Sequence, residues 1–449
     1  MNNMNKRTFL SLLLCVCCLS FLHAERVDMQ QAGADVQGRK LNTALINSTI
    51  DRLNAHGGGT LFFPAGTYLT GSIHMKSNIT LELEAGATLK FSENFDDFLP
   101  YVEVRHEGIM MKSFQPLIYA VDAENITIKG EGTLDGQGKA WWTEFFRVLV
   151  DLRDNGKRNI NKYQPMFEKE NDLKALYAET NEDWHGTLDR RFFRPPFIHP
   201  IRCKNVRVEG VKIINSPFWT VNPEFCDNVT IKGITIHNVP SPNTDGINPE
   251  SCKNVHISDC HISVGDDCIT IKSGRDLQAR KLGVPCENIT ITNCTMLSGH
   301  GGVVIGSEMS GSVRKVTISN CVFDGTDRGI RIKSTRGRGG VVEDIRVSNV
   351  VMSNIKQEAV VLNLKYSKMP AEPKSERTPI FRNVHISGMT VTNVKTPIKI
   401  VGLEEAPISD IVLRDIHIQG GKQKCIFENC ERITMDDVIV NGEKTTSIN

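Results

Sequence analysis

The chain has 449 residues, with 53 basic and 52 acidic side chains and a net charge of +1. So balanced a surface sets up no long-range field for nucleic acid or an anionic membrane, and a preference for an acidic ligand must come from a few placed cations. The length favours two or three ordinary domains, unless the chain is a solenoid in which each repeat adds its own slice of core.

Residues 1–24 read as an export signal. Lys6 and Arg7 form a charged start, Thr8 to Leu22 is an apolar stretch too short to span a bilayer comfortably, and Ala24 offers a cleavage position. A lipid anchor at Cys15, Cys17 or Cys18 is the poorer reading, because the residues before them are not the small ones expected. No later stretch has the apolar length of a membrane span, so a periplasmic or secreted protein is expected. Residues 25–449 are expected to form a single domain and a monomer.

Asn42 to Ala55 carries apolar residues at helical spacing (Leu41, Ala44, Leu45, Ile50, Leu53) and stops at Gly57-Gly58-Gly59. This predicts a helix that caps the open first coil of a repeat array. The first strands are expected from Phe62-Phe63-Pro64 onward. A repeating unit follows: a polar residue, a Val/Ile/Thr alternation, a Gly or Asn, and a second alternation. It starts at Asn125 and again at Asn205, Asn228, Asn254, Asn288, Lys315, Asp344, Asn383, Asp410 and Arg432; from Asn205 on the steps are 22 to 39 residues. Period-2 alternation is the strand signal, and repetition at this length is the solenoid signal. A propeller needs about four strands per unit and longer steps. The expected fold is therefore all-β, a single-stranded right-handed parallel β-helix with an N-terminal capping helix.

Ten cysteines follow the signal, and five stand in one recurring context, at Cys203, Cys226, Cys252, Cys286 and Cys430. A cysteine recurring at each repeat reads as a stack of small buried side chains, although export leaves disulfides chemically possible. One segment breaks the repeat. From about Lys139 to Phe197 the alternation vanishes and aromatic residues gather, Trp141, Trp142, Tyr163, Tyr177, Trp184, Phe192 and Phe193 among them. Leu149 to Arg153 and Leu173 to Glu179 are compatible with helix. An insertion of this length points to function; here it is expected to wall one end of a cleft and offer aromatic faces to sugars.

The chemistry-bearing residues come next. Asp245, in Ser241-Pro242-Asn243-Thr244-Asp245-Gly246, and Asp266, in Gly265-Asp266-Asp267-Cys268, recur about 21 residues apart, close to one repeat. Coils of a β-helix lie about 4.8 Å apart, so Asp245 and Asp266 are expected side by side, with Asp267 in the same bend. Carboxylates this close cannot all ionise cheaply, so one should keep its proton and be available as a general acid. Paired acids on one face suit glycosidic bond cleavage, one protonating the leaving oxygen and another handling water. His300 sits among Gly299, Gly301 and Gly302, where a substrate can approach closely and a hydrogen bond to a catalytic acid is available. Arg331 and Lys333 alternate with Ile330 and Ile332, which puts both cations on one face. Beside three carboxylates they would clamp an acidic substrate, whereas a neutral sugar would not require them.

In this order the four segments resemble those of the polygalacturonases, glycoside hydrolase family 28, and in particular its bacterial exo-acting branch. The resemblance runs from the cap region through the coil at Tyr366. It implies an inverting hydrolase of α-1,4-linked galacturonic acid in an acidic plant polysaccharide or oligogalacturonide, with no cofactor and no metal. Asp266 would be the general acid, Asp245 and Asp267 would activate water, and His300 would assist. Arg331 and Lys333 would bind the galacturonate carboxylate, with Asn243 at the cleft edge and Tyr366 contacting substrate. Gly265 departs from the Gln common in fungal members.

Three alternatives remain. A rhamnogalacturonan hydrolase or related galacturonidase is the near one, although that branch typically lacks the histidine segment. A pectate lyase would use calcium and elimination, and a β-helix adhesin would need no acids stacked beside cations. Exo-action, releasing monomers from the non-reducing end, is expected from the insertion.

Overall fold

The computed structural model describes residues 25–155, 161–180, 192–238 and 241–445; the expected export signal and Trp184 lie outside them. Successive coils stack in parallel into one long winding of strands, as the repeat predicts. The register shows how. Val206, Val229, Val255, Ile289, Val316, Ile345, Val384, Ile411 and Ile433 stand one above another on consecutive coils. Most are fully buried, so a single apolar core runs through the axis.

The polar residue that opens each repeat has a specific task. Asn125, Asn205, Asn228, Asn254, Asn288, Lys315, Asp344, Asn383, Asp410 and Arg432 all take φ between 52° and 59°. This left-handed bend turns the chain into its next strand, and Asn tolerates it best among residues with a side chain. The asparagines also pair between coils: the amide of Asn125 donates to Asn78 at 2.7 Å, Asn205 to Asn125 at 2.9 Å and Asn228 to Asn205 at 2.7 Å.

The ten cysteines among the described residues are free thiols, eight of them buried. Cys226, Cys252 and Cys286 donate to the carbonyls of Pro200, Pro223 and Pro249 on the preceding coil at 3.2–3.5 Å. A thiol there fills a small space and partners a carbonyl together. Cys430, which shares their sequence context, is only half-buried.

At the N-terminus the helix spans Thr43–Ala55 and buries Ile46, Thr49, Ile50 and Leu53. Leu41 lies outside it and is exposed. The first strand is Glu25–Asp28, earlier than expected, paired with Gly59–Phe63. The irregular segment is more helical than its sequence suggests, with helices at Lys139–Asn155, Tyr163–Glu170 and Leu173–Ala178. Its aromatic residues are divided between packing and surface: Phe146 is about half exposed. Trp141 is fully buried, 4.3 Å from the Phe95 ring and stacked on Phe192, while the Trp142 indole donates to Ser216 O at 3.0 Å. The Trp141 face is thus used up in packing, which removes it from the residues expected to stack on sugars.

An antiparallel hairpin, Val102–His106 with Ile109–Ser113, stands out from the parallel winding. Its turn residues Glu107 and Gly108 have φ of 45° and 86°, as a two-residue turn between twisted strands requires. The irregular segment packs behind it, with Phe167 and Phe193 joining Val104, Ile109 and Met111 in a small second core. Arg105 latches the hairpin to the winding. Its guanidinium is fully buried and reaches Glu224 at 3.3 Å, Ser251 at 3.0 Å and Glu250 at 3.6 Å. His106 stacks on Phe218.

Candidate active site

The three aspartates come together on one face, but in a different alignment from the one the spacing suggests. The bends pair Ile247 with Ile269 and Glu250 with Lys272, a step of 22. Asp245 is therefore level with Asp267, not with Asp266. Asp266 sits one residue to the side and is the more open of the three, with 19% of its side chain exposed, against 1% for Asp267. One oxygen from each lies within 4.8 Å of the others.

Each aspartate has its own surroundings. Asp267 accepts from Lys333 Nζ at 2.7 Å and Arg331 Nη1 at 3.3 Å. Burial pushes its carboxyl up, but Lys333, Arg331 and Lys272 outweigh burial and hold it down at about 2. Asp245 accepts from the Asn248 amide at 3.0 Å and has Lys272 Nζ at 3.8 Å. Burial and then the nearby Asp266 push its carboxyl well above the usual range, and Lys272 opposes them. The two level acids are thus set apart, one ionised and one inclined to hold a proton.

His300 stands on the next coil directly over Asp266, because Asp267 pairs with Gly301. Its Nδ1 lies 3.1 Å from Asp266 Oδ1. That hydrogen bond raises the imidazole above its ordinary value. The flanking glycines also have a packing reason. A Cβ on Gly302 would meet the Phe323 ring at 2.7 Å, and one on Gly301 would meet Val304 at 2.4 Å. A Cβ on Gly265 would strike Ser241 O at 1.8 Å, so no side chain fits there.

Ile330 and Ile332 point into the core and Arg331 and Lys333 away from it, as the alternation predicts. Both cations lie near the Tyr366 ring, at 5.6 and 5.3 Å from its centroid. Asn243 has φ 52° and accepts from Arg194 at 2.7 Å. A cavity of about 250 Å³ joins Asn243, the three aspartates, Lys333 and Tyr366 to Trp219, Lys272, Glu308 and Glu107. The aspartate oxygens are close enough for a cation to bridge, but Lys333 and Arg331 already donate into the cluster. Asp415, His417 and Asp437 form a second such trio, exposed and outside this cavity.

Residues 186–436 match the profile of Glycosyl hydrolases family 28. The chain belongs to that family. This family 28 hydrolase is 31% identical over 377 residues to an endo-polygalacturonase of Pectobacterium parmentieri, covering 80% of this chain and 84% of that one. A probable polygalacturonase of Vitis vinifera is 29% identical, over 91% of this chain and 77% of its own. Among solved structures, an exopolygalacturonase from Thermotoga maritima superposes with a TM-score of 0.82 at 37% identity, covering 93% and 92% of the two chains. The fold is the right-handed parallel β-helix of those enzymes, and the chain is a glycosidase. No helix of the described residues is long and apolar enough to cross a membrane.

Several residues of the hydrolase's cavity escaped the sequence reading. Lys272 follows Ile269 and Ile271 on the same alternation that singles out Lys333. Ile271, Ile305 and Ile332 are in register, so Lys272 and Lys333 stand two coils apart with Gly306 between them. Trp219 lies under the Lys272 ammonium at 4.3 Å. Glu107 belongs to a Glu-Gly turn between two alternating runs, a hairpin signal. Behind the cavity, Arg194 braces the 241–246 bend through Pro242 O and Asn243 and ties it to Pro217 O; nothing in its local sequence marks it.

Proposed function

We propose that this hydrolase is an exo-acting polygalacturonase that removes galacturonic acid from the non-reducing end of acidic pectic chains. The observation that carries exo-action is the hairpin. Its tip residue Glu107 lines the cavity, Gly108 packs against Arg275 and Glu308, and Met110 N donates to Gln278 at 2.7 Å. A polymer lying across many coils would meet this wall, whereas a chain end could stop at it. The names carried by the Thermotoga maritima structure and by an exo-poly-alpha-D-galacturonosidase of Dickeya chrysanthemi, 25% identical, favour the same reading.

In this reading Asp266 protonates the glycosidic oxygen, and Asp245 and Asp267 flank the attacking water. Burial and the neighbouring Asp266 make ionisation of Asp245 costly. His300 fixes the orientation of Asp266. Arg331 and Lys333 neutralise Asp267 and face a uronate carboxylate together with Tyr366. Inversion is what the family resemblance implies. The nearest carboxylate oxygens, within 4.8 Å, are closer than the 6.5–9.5 Å usual between inverting carboxyl groups. Residues 1–24 place the enzyme, on the same reading, in the periplasm or outside the cell.

Chromatography and viscometry on pectate test this. Galacturonic acid as the first product with slow viscosity loss is expected. Mixed oligomers with rapid viscosity loss would mean an open cleft. Release from rhamnogalacturonan oligosaccharides alone would favour the alternative hydrolase, and ultraviolet-absorbing products would mean a lyase. Proton NMR of the nascent anomer decides between inversion and retention.

A further inference from the structure

Lys272 has no part in the reading above beyond its charge, yet its surroundings are built with care. Its side chain is 4% exposed. The ammonium lies 2.8 Å from Glu308 Oε2, 3.8 Å from Asp245 Oδ2 and 4.3 Å from the Trp219 ring centroid. A buried ammonium is costly unless paired, and this one is paired twice. Glu308 is itself held, by Ser307 Oγ at 2.9 Å and by Arg338 at 3.8 Å, and Arg338 is tied to Asp276 at 2.7 Å. The row Asp276, Arg338, Glu308, Lys272, Asp245 thus alternates in sign and ends on a member of the acid cluster.

The two level aspartates each have a lysine, at unequal distance: Lys333 touches Asp267 at 2.7 Å, whereas Lys272 stays 3.8 Å from Asp245. Glu308 holds Lys272 back. The charged groups facing Asp245 are Asp266, Asp267, Lys272 and Lys333, with the Asn248 amide as its hydrogen-bond donor. Lys272 is the nearer cation able to favour ionised Asp245, and Lys333 is committed to Asp267.

We propose that Lys272 is a positioning residue that favours the ionised, water-activating form of Asp245, with Glu308 setting the strength of its pull. The inference rests on the reading of Asp266 as acid and Asp245 as base. Its sign is definite. Removing the ammonium leaves Asp245 protonated to higher pH. Neutralising Glu308 releases Lys272 toward Asp245, which then ionises at lower pH.

The test compares wild type with Lys272→Met, Lys272→Arg and Glu308→Gln. In kcat/KM against pH on trigalacturonate, the acid limb of Lys272→Met should move up by about one pH unit, the scale set by an opposite charge at this range. Glu308→Gln should move it down, and Lys272→Arg should restore the wild-type limb. An unmoved limb, or movement of both variants in one direction, overturns the proposal. If Lys272→Met does not fold, Glu308→Gln decides alone by the same criterion. Carboxyl ¹³C titration of aspartate-labelled protein, with Asp245 assigned through Asp245→Asn, reads the same shifts without substrate. Inactivity on galacturonides would then overturn the functional reading, while the Asp245 titration still decides the role of Lys272.

Discussion

His300 and Asp266 are joined twice: the His300 amide donates to the Asp266 carbonyl at 2.8 Å, and the imidazole Nδ1 lies 3.1 Å from Asp266 Oδ1. The backbone bond belongs to the solenoid ladder. The side-chain bond therefore comes with the coil stacking and needs no separate device to align it.

Replacing His300 by Gln should lower kcat while leaving KM and thermal stability near wild type. Half of the side chain is exposed, so screening limits the loss to about tenfold. The raised imidazole value adds a pH signature. Whatever stability the charged imidazole gives is fully present below its unfolded value and fades as pH rises through the folded one. Melting temperatures of the wild type and His300→Gln should therefore converge above that range.

Asp266→Asn should remove turnover with folding and substrate binding retained, because an amide cannot donate the proton. A general acid typically contributes 10²–10⁴-fold. A variant keeping more than about a tenth of the wild-type kcat would show that Asp266 is not the acid.

Lys333→Met should cost stability as well as binding. It leaves Asp267 buried with one partner fewer, and breaking a buried pair costs about 3–5 kcal/mol. The Asp267 carboxyl is held at about 2, below the ordinary value near 3.9. Its contribution is therefore present above the unfolded value and is lost as pH falls through the folded one. The difference in melting temperature between wild type and variant should shrink between about pH 4 and pH 2. Binding of galacturonate oligomers should fall more than that of methyl-esterified ones; equal losses would mean that the cation serves structure alone.

Gly108→Val should loosen the hairpin. Gly108 has φ 86°, and a Cβ there would meet Arg275 Cβ at 2.8 Å and Arg275 N at 2.9 Å. If the tip closes the cleft, the variant should release short oligomers early from pectate, which the wild type should not. An unchanged product pattern with the hairpin displaced, checked by proteolysis at residues 102–113, would remove the hairpin from the account of exo-action.

Much of the molecule is legible in the sequence, because a solenoid is made of local repeats. The stacking of Val206, Val229 and Val255 follows from the alternation and its repeat alone. Gathering the acids, His300, Arg331 and Lys333 on one face needs only the period. The alignment within that face does not follow. A step of 22 rather than 21 makes Asp245 level with Asp267, and such a shift is decided by how each bend packs.

The parts that shape the cavity belong to the tertiary structure. The two strands of the hairpin are readable, but their docking is not. Arg105 is latched to Glu224 from 119 residues away, across a gap that no local pattern records. Aromatic residues of the irregular segment look available in the sequence, yet Trp141 and Phe192 spend their faces on each other. Alternation marks Lys272 as pointing out of the core, while its place between Asp245 and Glu308 depends on three coils coming into register. Local periodicity decides which side chains leave the core; only packing between distant segments decides what they meet there.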